Sequence, residues 1–185
     1  MKVHERIDGR LREFIEAQRM FFVATAPAGP GGHVNVSPKG MGGTFAVLGE
    51  HRVAYLDYHG SGAETIAHLA DNGRITLMFC AFEGPPNIVR LYGRGRAVPV
   101  TDPEHAELVS SFGTAPDTHG VRSVIDVTVE RVSDSCGYAV PLMTYEGDRD
   151  LLIRSHSRRT DEDLAEYRRV KNGHSIDGLP VFGER

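Results

Sequence analysis

Short runs of alternating apolar and polar residues dominate the chain from residue 20 onward, a period of two that belongs to half-buried β-strands. Residues 20–26 read as a strand closed by the turn Pro27-Ala-Gly-Pro-Gly-Gly32. Further strands are expected over 33–37, 44–48, 52–57, 74–82, 88–98 and 124–132. Helical spacing shows in three places. Ile7, Leu11, Phe14 and Ile15 share one face near the N-terminus; Thr101-Asp-Pro-Glu104, a capping pattern, precedes His105, Leu108, Val109 and Phe112; and a polar helix is predicted over Asp161–Lys171. Strands with so few helices between them indicate an antiparallel sheet rather than a parallel dinucleotide-binding one. Gly93-x-Gly95 lacks the third glycine and the following helix of a dinucleotide fingerprint.

The segment from His33 to Ala67 carries the most chemistry. On a strand, His33, Asn35, Ser37 and Lys39 share one face and Val34 and Val36 the other, so a polar face and a core face are expected. Pro38 donates no ladder hydrogen bond, which puts the strand's end or a sheet edge there and leaves Lys39 at the opening of a loop. After the next strand, Ser61-Gly-Ala-Glu64 matches a capping box, predicting a helix that begins near Gly62 with free N–H groups and a positive dipole end. Thr65, one turn in, adds a donor. Ser-x-x-Glu boxes open many helices that bind nothing, and a lysine after proline is commonly a solvated loop residue. A cation, hydroxyls and a helix start separated by a single strand favour an anion, and a phosphate fits them.

The ordered runs Asn35-Val-Ser-Pro-Lys39-Gly, Val53-Ala-Tyr-Leu-Asp-Tyr-His-Gly-Ser61, Asn72-Gly-Arg-Ile-Thr-Leu-Met-Phe79 and Arg90-Leu-Tyr-Gly93-Arg-Gly resemble the pyridoxamine 5′-phosphate oxidase-like family of flavin-binding split barrels. The resemblance spans residues 14–132. It implies a mainly β fold, a six-stranded antiparallel split barrel with peripheral helices, and a homodimer with FMN in a cleft at the interface. Lys39 resembles the family lysine that contacts the FMN phosphate; Asp57 and Tyr58 fall where the family's strand passes the flavin; Ser61 falls in its Gly-Ser phosphate loop; Arg90 resembles the arginine before its close glycine approach. With Asn35, Ser37 and Thr65 from the local reading, these residues form the candidate cofactor site. The chain departs from the family where Gly62-Ala63 stand in place of Arg-Lys, which removes two phosphate cations. Arg90, Arg94 and Arg96 are the candidate substitutes, although cross-strand pairing with Asp126 and Glu130 is the expectation for Arg94 and Arg96. Arg154-Ser-His156 offers the spacing of the oxidase's substrate-holding pair without its aromatic and glycine context, so pyridoxal phosphate synthesis is a minority reading.

Composition narrows the remaining classes. The 185 residues, 40% hydrophobic, suit one barrel domain over 1–144 and a polar helical appendage over 145–185, packed on the barrel or on a partner subunit. A net charge of −4 and the absence of tryptophan give no basis for nucleic-acid binding. No apolar run spans a bilayer and the N-terminus is polar rather than signal-like, so a cytoplasmic protein is expected. Cys80 reads as a core residue and Cys136 as a loop thiol without an assignable base. His59-Gly-Ser61-Gly is no nucleophile elbow, and the histidines show no metal-ligand spacing.

A flavin-binding oxidoreductase is therefore expected, moving a hydride or electrons through FMN to or from a small molecule, with the cofactor supplying the reaction. A non-catalytic flavin- or haem-binding protein, or a deazaflavin-dependent reductase, is the alternative, motivated by the weakened phosphate clamp.

Overall fold

Phe21, Val23 and Thr25 are buried while Phe22 and Ala24 between them are partly exposed, and a similar alternation recurs over 35–39, 74–79 and 88–93, whereas 53–58 and 121–127 are buried on both faces. The computed structural model describes residues 1–113 and 117–182. In chain order the elements are β1 (Lys2–His4), α1 (Gly9–Ala17), β2 (Phe21–Thr25), β3 (Asn35–Lys39), β4 (Phe45–Gly49), β5 (Arg52–Tyr58), α2 (Glu64–Asn72), β6 (Arg74–Cys80), β7 (Ile88–Pro99), α3 (Glu104–Ser110), β8 (Val121–Ser135), α4 (Leu151–His156) and α5 (Asp161–Lys171).

The strands form one antiparallel sheet in the order β3-β2-β6-β7-β8-β5-β4, with β1 on β8. The mainly β architecture with peripheral helices is that of the split barrel, with eight strands where six were expected. The additional strand that the alternation did not mark is β1, three residues paired to the far end of β8 through Lys2↔Asp134 and His4↔Val132. β8 reaches that far because it is 15 residues long, pairing β5 along its first half and β7 along nearly its whole length. A register shift between Tyr92 and Gly93 bends this pair, and there a Cβ on Gly93 would collide with the Thr128 carbonyl. Only glycine permits that approach.

Two apolar clusters hold the fold. Phe21, Val23, Tyr55, Ile66, Leu77, Phe79 and Ile125 belong to the larger, which Leu11 and Ile15 of α1 close from one end. Asp8 caps α1, its carboxylate accepting the Leu11 N–H at 2.8 Å. Across the sheet, Leu56, Tyr58, Val98 and Val124 meet Leu108 and Phe112 in the second cluster. The expected Thr101 cap does not form: α3 begins after Pro103, and Asp102 accepts the Glu104 N–H at 2.9 Å. Among the described residues no helix is long and apolar enough to cross a membrane.

The C-terminal segment lies against its own barrel. Thr160 and Asp163 form a reciprocal capping box that starts α5, Leu164 is buried, and Val181 enters the larger core. Asp177 receives the His33 N–H at 2.8 Å and faces the His33 ring at 2.7 Å, tying the chain's end to the start of β3.

One face assignment is reversed. Val34 and Val36 are 71% and 63% exposed, whereas Asn35, Ser37 and Lys39 turn inward. β3 is an edge strand, and its inner face lies over polar side chains of β2, β5 and α2 rather than over apolar core. Its position also explains Pro38, since an edge strand needs no second ladder.

Candidate functional site

Side chains on the same face as the buried Val53 and Tyr55 bring Asp57 into the end of the barrel, where it is fully enclosed. A lone carboxylate there would be costly, and two cations meet it. Lys39 Nζ lies 3.0 Å from Oδ1, and Arg122 Nε lies 2.6 Å from Oδ2. Burial alone would push the Asp57 carboxyl up; Lys39 and Arg122 outweigh it and hold it at about 2. One negative charge against two positive charges leaves this corner net positive. Arg122 is itself buried, but Lys39 retains 25% side-chain exposure, so the excess charge reaches the surface through the lysine.

A second polar chain runs beside the first. Asn35 Nδ2 donates to both Thr25 Oγ1 and Thr65 Oγ1 at 3.2 Å, Ser37 Oγ donates to Asn35 Oδ1 at 3.0 Å, and Thr25 Oγ1 lies 3.0 Å from His68 Nδ1. Both amide protons of Asn35 are thus engaged internally, and the residue fixes β3 to β2 and α2. The Tyr55 hydroxyl and His68 Nε2 are buried here without a hydrogen-bond partner. The Lys39 ammonium stands 5.8 Å from the Tyr55 ring centroid, joining the two chains.

The loop between β5 and α2 completes the corner. Arg122 Nη2 donates to the Gly62 carbonyl at 2.8 Å, and Asn172 Nδ2 donates to the Gly60 carbonyl at 2.9 Å. In a planar trans peptide the N–H points opposite to the C=O, so drawing these carbonyls inward turns the N–H groups of Ser61 and Ala63 away from the guanidinium and the amide. The expected Ser61–Glu64 capping box is absent. α2 starts at Glu64 with Ala63 as an N-cap that offers no side-chain acceptor, and Glu64 Oε2 instead accepts the Ile176 N–H at 3.1 Å. The first turn of α2 therefore keeps uncapped N–H donors, with the exposed Ser61 beside them.

Six of the eight candidate residues, Asn35, Ser37, Lys39, Asp57, Ser61 and Thr65, gather at this end of the barrel. Tyr58 and Arg90 do not. Tyr58 is on the opposite face of β5, donating to the Asp117 carbonyl at 3.1 Å and stacking on His156. Arg90 projects from β7 onto Ser135 Oγ at 3.2 Å. The other two candidate arginines are occupied as their cross-strand positions predicted: Arg96 lies 2.8 Å from Asp126 and also holds Glu104, and Arg94 lies 3.4 Å from Glu130. None of the three replaces the missing phosphate cations. Arg154 pairs with Asp150 and His156 is enclosed against the His59 carbonyl, so they do not face a common ligand.

The cation that sequence reading missed is Arg122. Its signal was an arginine at the start of a strand whose first half is rich in valine and isoleucine, but its partner Asp57 is 65 residues earlier in the chain. The docking of α5 on the same loop was also missed: Arg168 Nη1 donates to His59 Nε2 at 2.9 Å, while His59 Nδ1 faces the Gly120 carbonyl at 2.9 Å. Burial, opposed by the Gly120 carbonyl and aided by the charges of Arg168, Arg122 and His156, pushes the His59 imidazole down to about 4. Cys80 is buried and Cys136 exposed; both are free thiols.

Comparison with known proteins agrees with this architecture. The chain is 39% identical to the pyridoxamine 5′-phosphate oxidase family protein ustO of Aspergillus flavus, over 96% of this chain and 76% of that protein. Its fold is similar to the crystal structure of HupZ from Group A Streptococcus, with a TM-score of 0.54 and 20% identity over 75% of this chain and 99% of that one. It is also similar to the conserved protein Rv2991 from Mycobacterium tuberculosis, with a TM-score of 0.50 and 16% identity over 80% and 99% of the two chains. The family model described as pyridoxamine 5′-phosphate oxidase matches residues 7–136, and with the curated relative it establishes that the chain belongs to the pyridoxamine 5′-phosphate oxidase family.

Proposed function

We propose that the chain binds FMN with its phosphate at the Lys39–Ser61 corner and acts, as a homodimer, as a flavin-dependent oxidoreductase on a small molecule. The observation that carries this reading is the net positive charge left when Lys39 and Arg122 share Asp57, next to a helix start with no side-chain cap. A phosphate suits such a donor set, because it takes a cation, a hydroxyl and backbone N–H groups at once. Membership of the family supports the flavin.

The chain's own residues divide the work of binding. Lys39 and Ser61 are the exposed anchors, whereas Asp57 and Arg122 are enclosed and set the position of the lysine and of the Gly60–Gly62 carbonyls. Asn35, Ser37 and Thr65 hold the edge strand against α2, so that Lys39 and the helix start keep their spacing. When bound, FMN supplies the redox step, taking up or giving up a hydride at its ring.

Charge-assisted hydrogen bonds contribute about 1.5–3 kcal/mol each, and micromolar affinity needs about 8 kcal/mol before ordering costs. Lys39 and Ser61 fall short alone, so apolar cover for the ring must supply much of the rest. Val34 and Val36 are exposed on the face of β3 opposite Lys39, so the cover they offer is to a partner subunit's ring in a dimer. Titration of the purified chain with FMN tests the reading: saturable binding that Lys39→Ala weakens supports it, and no flavin binding contradicts it.

A further inference from the structure

A cavity of about 240 Å³ opens next to the phosphate corner and takes no part in it. Three aromatic rings back it, of which Phe45 alone is partly exposed. Phe21, Phe45 and Phe79 form one interlocked group, with ring centroids 5.0 Å, 5.1 Å and 5.4 Å apart, and Ile15 of α1 lies alongside. Its mouth lies between the loop that follows Lys39 and the extended segment carrying Tyr145 and Asp148. Three hydrogen bonds fasten that segment: the Gly42 N–H donates to Asp148 Oδ2 at 2.8 Å at the rim, and beyond it the Met143 N–H donates to the Phe82 carbonyl at 2.9 Å and the Tyr145 N–H to Glu83 Oε1 at 3.4 Å. The loop on the other side is held in an unusual conformation, with Met41 at φ 71°.

The rim carries one uncommitted charge. The Arg19 guanidinium lies over the Tyr145 ring, 4.8 Å from its centroid, and among the described residues no carboxylate lies within ion-pair distance of it. The two acids of the rim are engaged elsewhere, Glu16 with Arg12 at 3.8 Å and Asp148 with the Gly42 amide. An arginine stacked on an aromatic face is already ordered, so little conformational freedom remains to be lost when it takes an anion.

We propose that this cavity is a binding site for a small aromatic carboxylate, its ring against the partly exposed Phe45 and its carboxylate on Arg19. Size limits the ligand: drug-sized ligands occupy about 300–1,000 Å³, so this space takes one or two rings and excludes FMN. A planar guanidinium matches a carboxylate in shape. Glu16 and Asp148 on the same rim repel any anion, and a doubly charged phosphate more than a singly charged carboxylate. The site lies apart from the proposed flavin phosphate and stands or falls independently of it.

The test is calorimetric titration of the purified full chain with benzoate, with indole-3-carboxylate, and with benzamide as the neutral isostere. Saturable binding of both acids is expected, with benzamide weaker by about tenfold or more, the order of one lost charge-assisted bond. Arg19→Gln should bring benzoate to the level of benzamide, and Arg19→Lys should lie between. Arg19 is exposed, so thermal unfolding of both variants should match the parent, and FMN titration should be unchanged. As a second readout, benzoate should shift the Tyr145 ring resonances. Equal affinity for benzoate and benzamide, no effect of Arg19→Gln, or no saturable binding of either acid would overturn the proposal.

Discussion

Arg122 Nε lies 2.6 Å from Asp57 Oδ2, across 65 residues of sequence, on a carboxylate whose other oxygen Lys39 holds at 3.0 Å. The contact joins β8 to β5 and, through the Gly62 carbonyl, to the entrance of α2. Fold stability and site geometry therefore share one enclosed ion cluster.

Removing one partner of a buried pair leaves the other uncompensated, a loss of about 3–5 kcal/mol. Lys39 still meets Asp57 when Arg122 is replaced, so Arg122→Met should cost no more than the lower end of that range, about 3 kcal/mol, by urea unfolding. Because both residues belong to one network, Arg122→Met combined with Asp57→Asn should cost clearly less than the sum of the single changes. Additive costs would show that the two side chains do not act together.

The same cluster sets an acid limit. Asp57 is held at about 2 in the fold against 3.8 for a free side chain, so the unfolded chain binds the extra proton first. Its contribution, on the order of 2 kcal/mol, is complete above pH 3.8 and is lost as pH falls from there through about 2. Asp57→Asn should remove this section of the stability–pH curve. A variant curve parallel to the parent between pH 4 and pH 2 would contradict the assignment.

His59 acts in a higher window. Its imidazole is neutral in the fold down to about pH 4 but protonates near 6.5 when free, so stability falls as pH drops from 6.5 through 4. Protonation also replaces the Nε2 acceptor that Arg168 uses with a second positive charge. Loosening should therefore begin in α5. Hydrogen exchange corrected for intrinsic rates should show α5 amides losing protection before those of β7 and β8 as pH is lowered from 7 to 5. Uniform loss across the chain would contradict a local effect of His59.

Val34 and Val36 expose an apolar face on an edge strand, at 71% and 63%. If a second copy covers it, Val34→Glu with Val36→Glu should give a monomer in sedimentation with the far-ultraviolet spectrum of the parent, since neither valine contributes to the core. FMN affinity should fall with the dimer. A parent chain that sediments as a monomer, or a variant that stays dimeric, would contradict this use of the face.

Period-two alternation made several strands legible because they have one enclosed face, and Phe21–Thr25 is the plainest case. Alternation separates two faces without saying which is inside. On β3 the polar face is inside, because polar groups of β2, β5 and α2 await it. Lys39, Asp57 and the start of α2 were legible as neighbours through short-range spacing. Arg122 was not, since only the β5–β8 register places Ser123 opposite Asp57 and its arginine beside it. The Ser61 cap failed for a similar reason: Glu64 is taken by Ile176, a residue 112 positions away.

The central claim is a phosphate seat at the Lys39–Ser61 corner. Parallel titrations of the full chain and of Lys39→Ala with FMN and with riboflavin, which lacks only the phosphate, test it most directly. The parent should bind FMN about 10- to 100-fold more tightly than riboflavin, the range of one charge-assisted bond to phosphate, and Lys39→Ala should remove most of that preference while leaving riboflavin affinity in place. Equal affinity of the parent for the two flavins, or a preference for FMN that survives Lys39→Ala, would contradict the account.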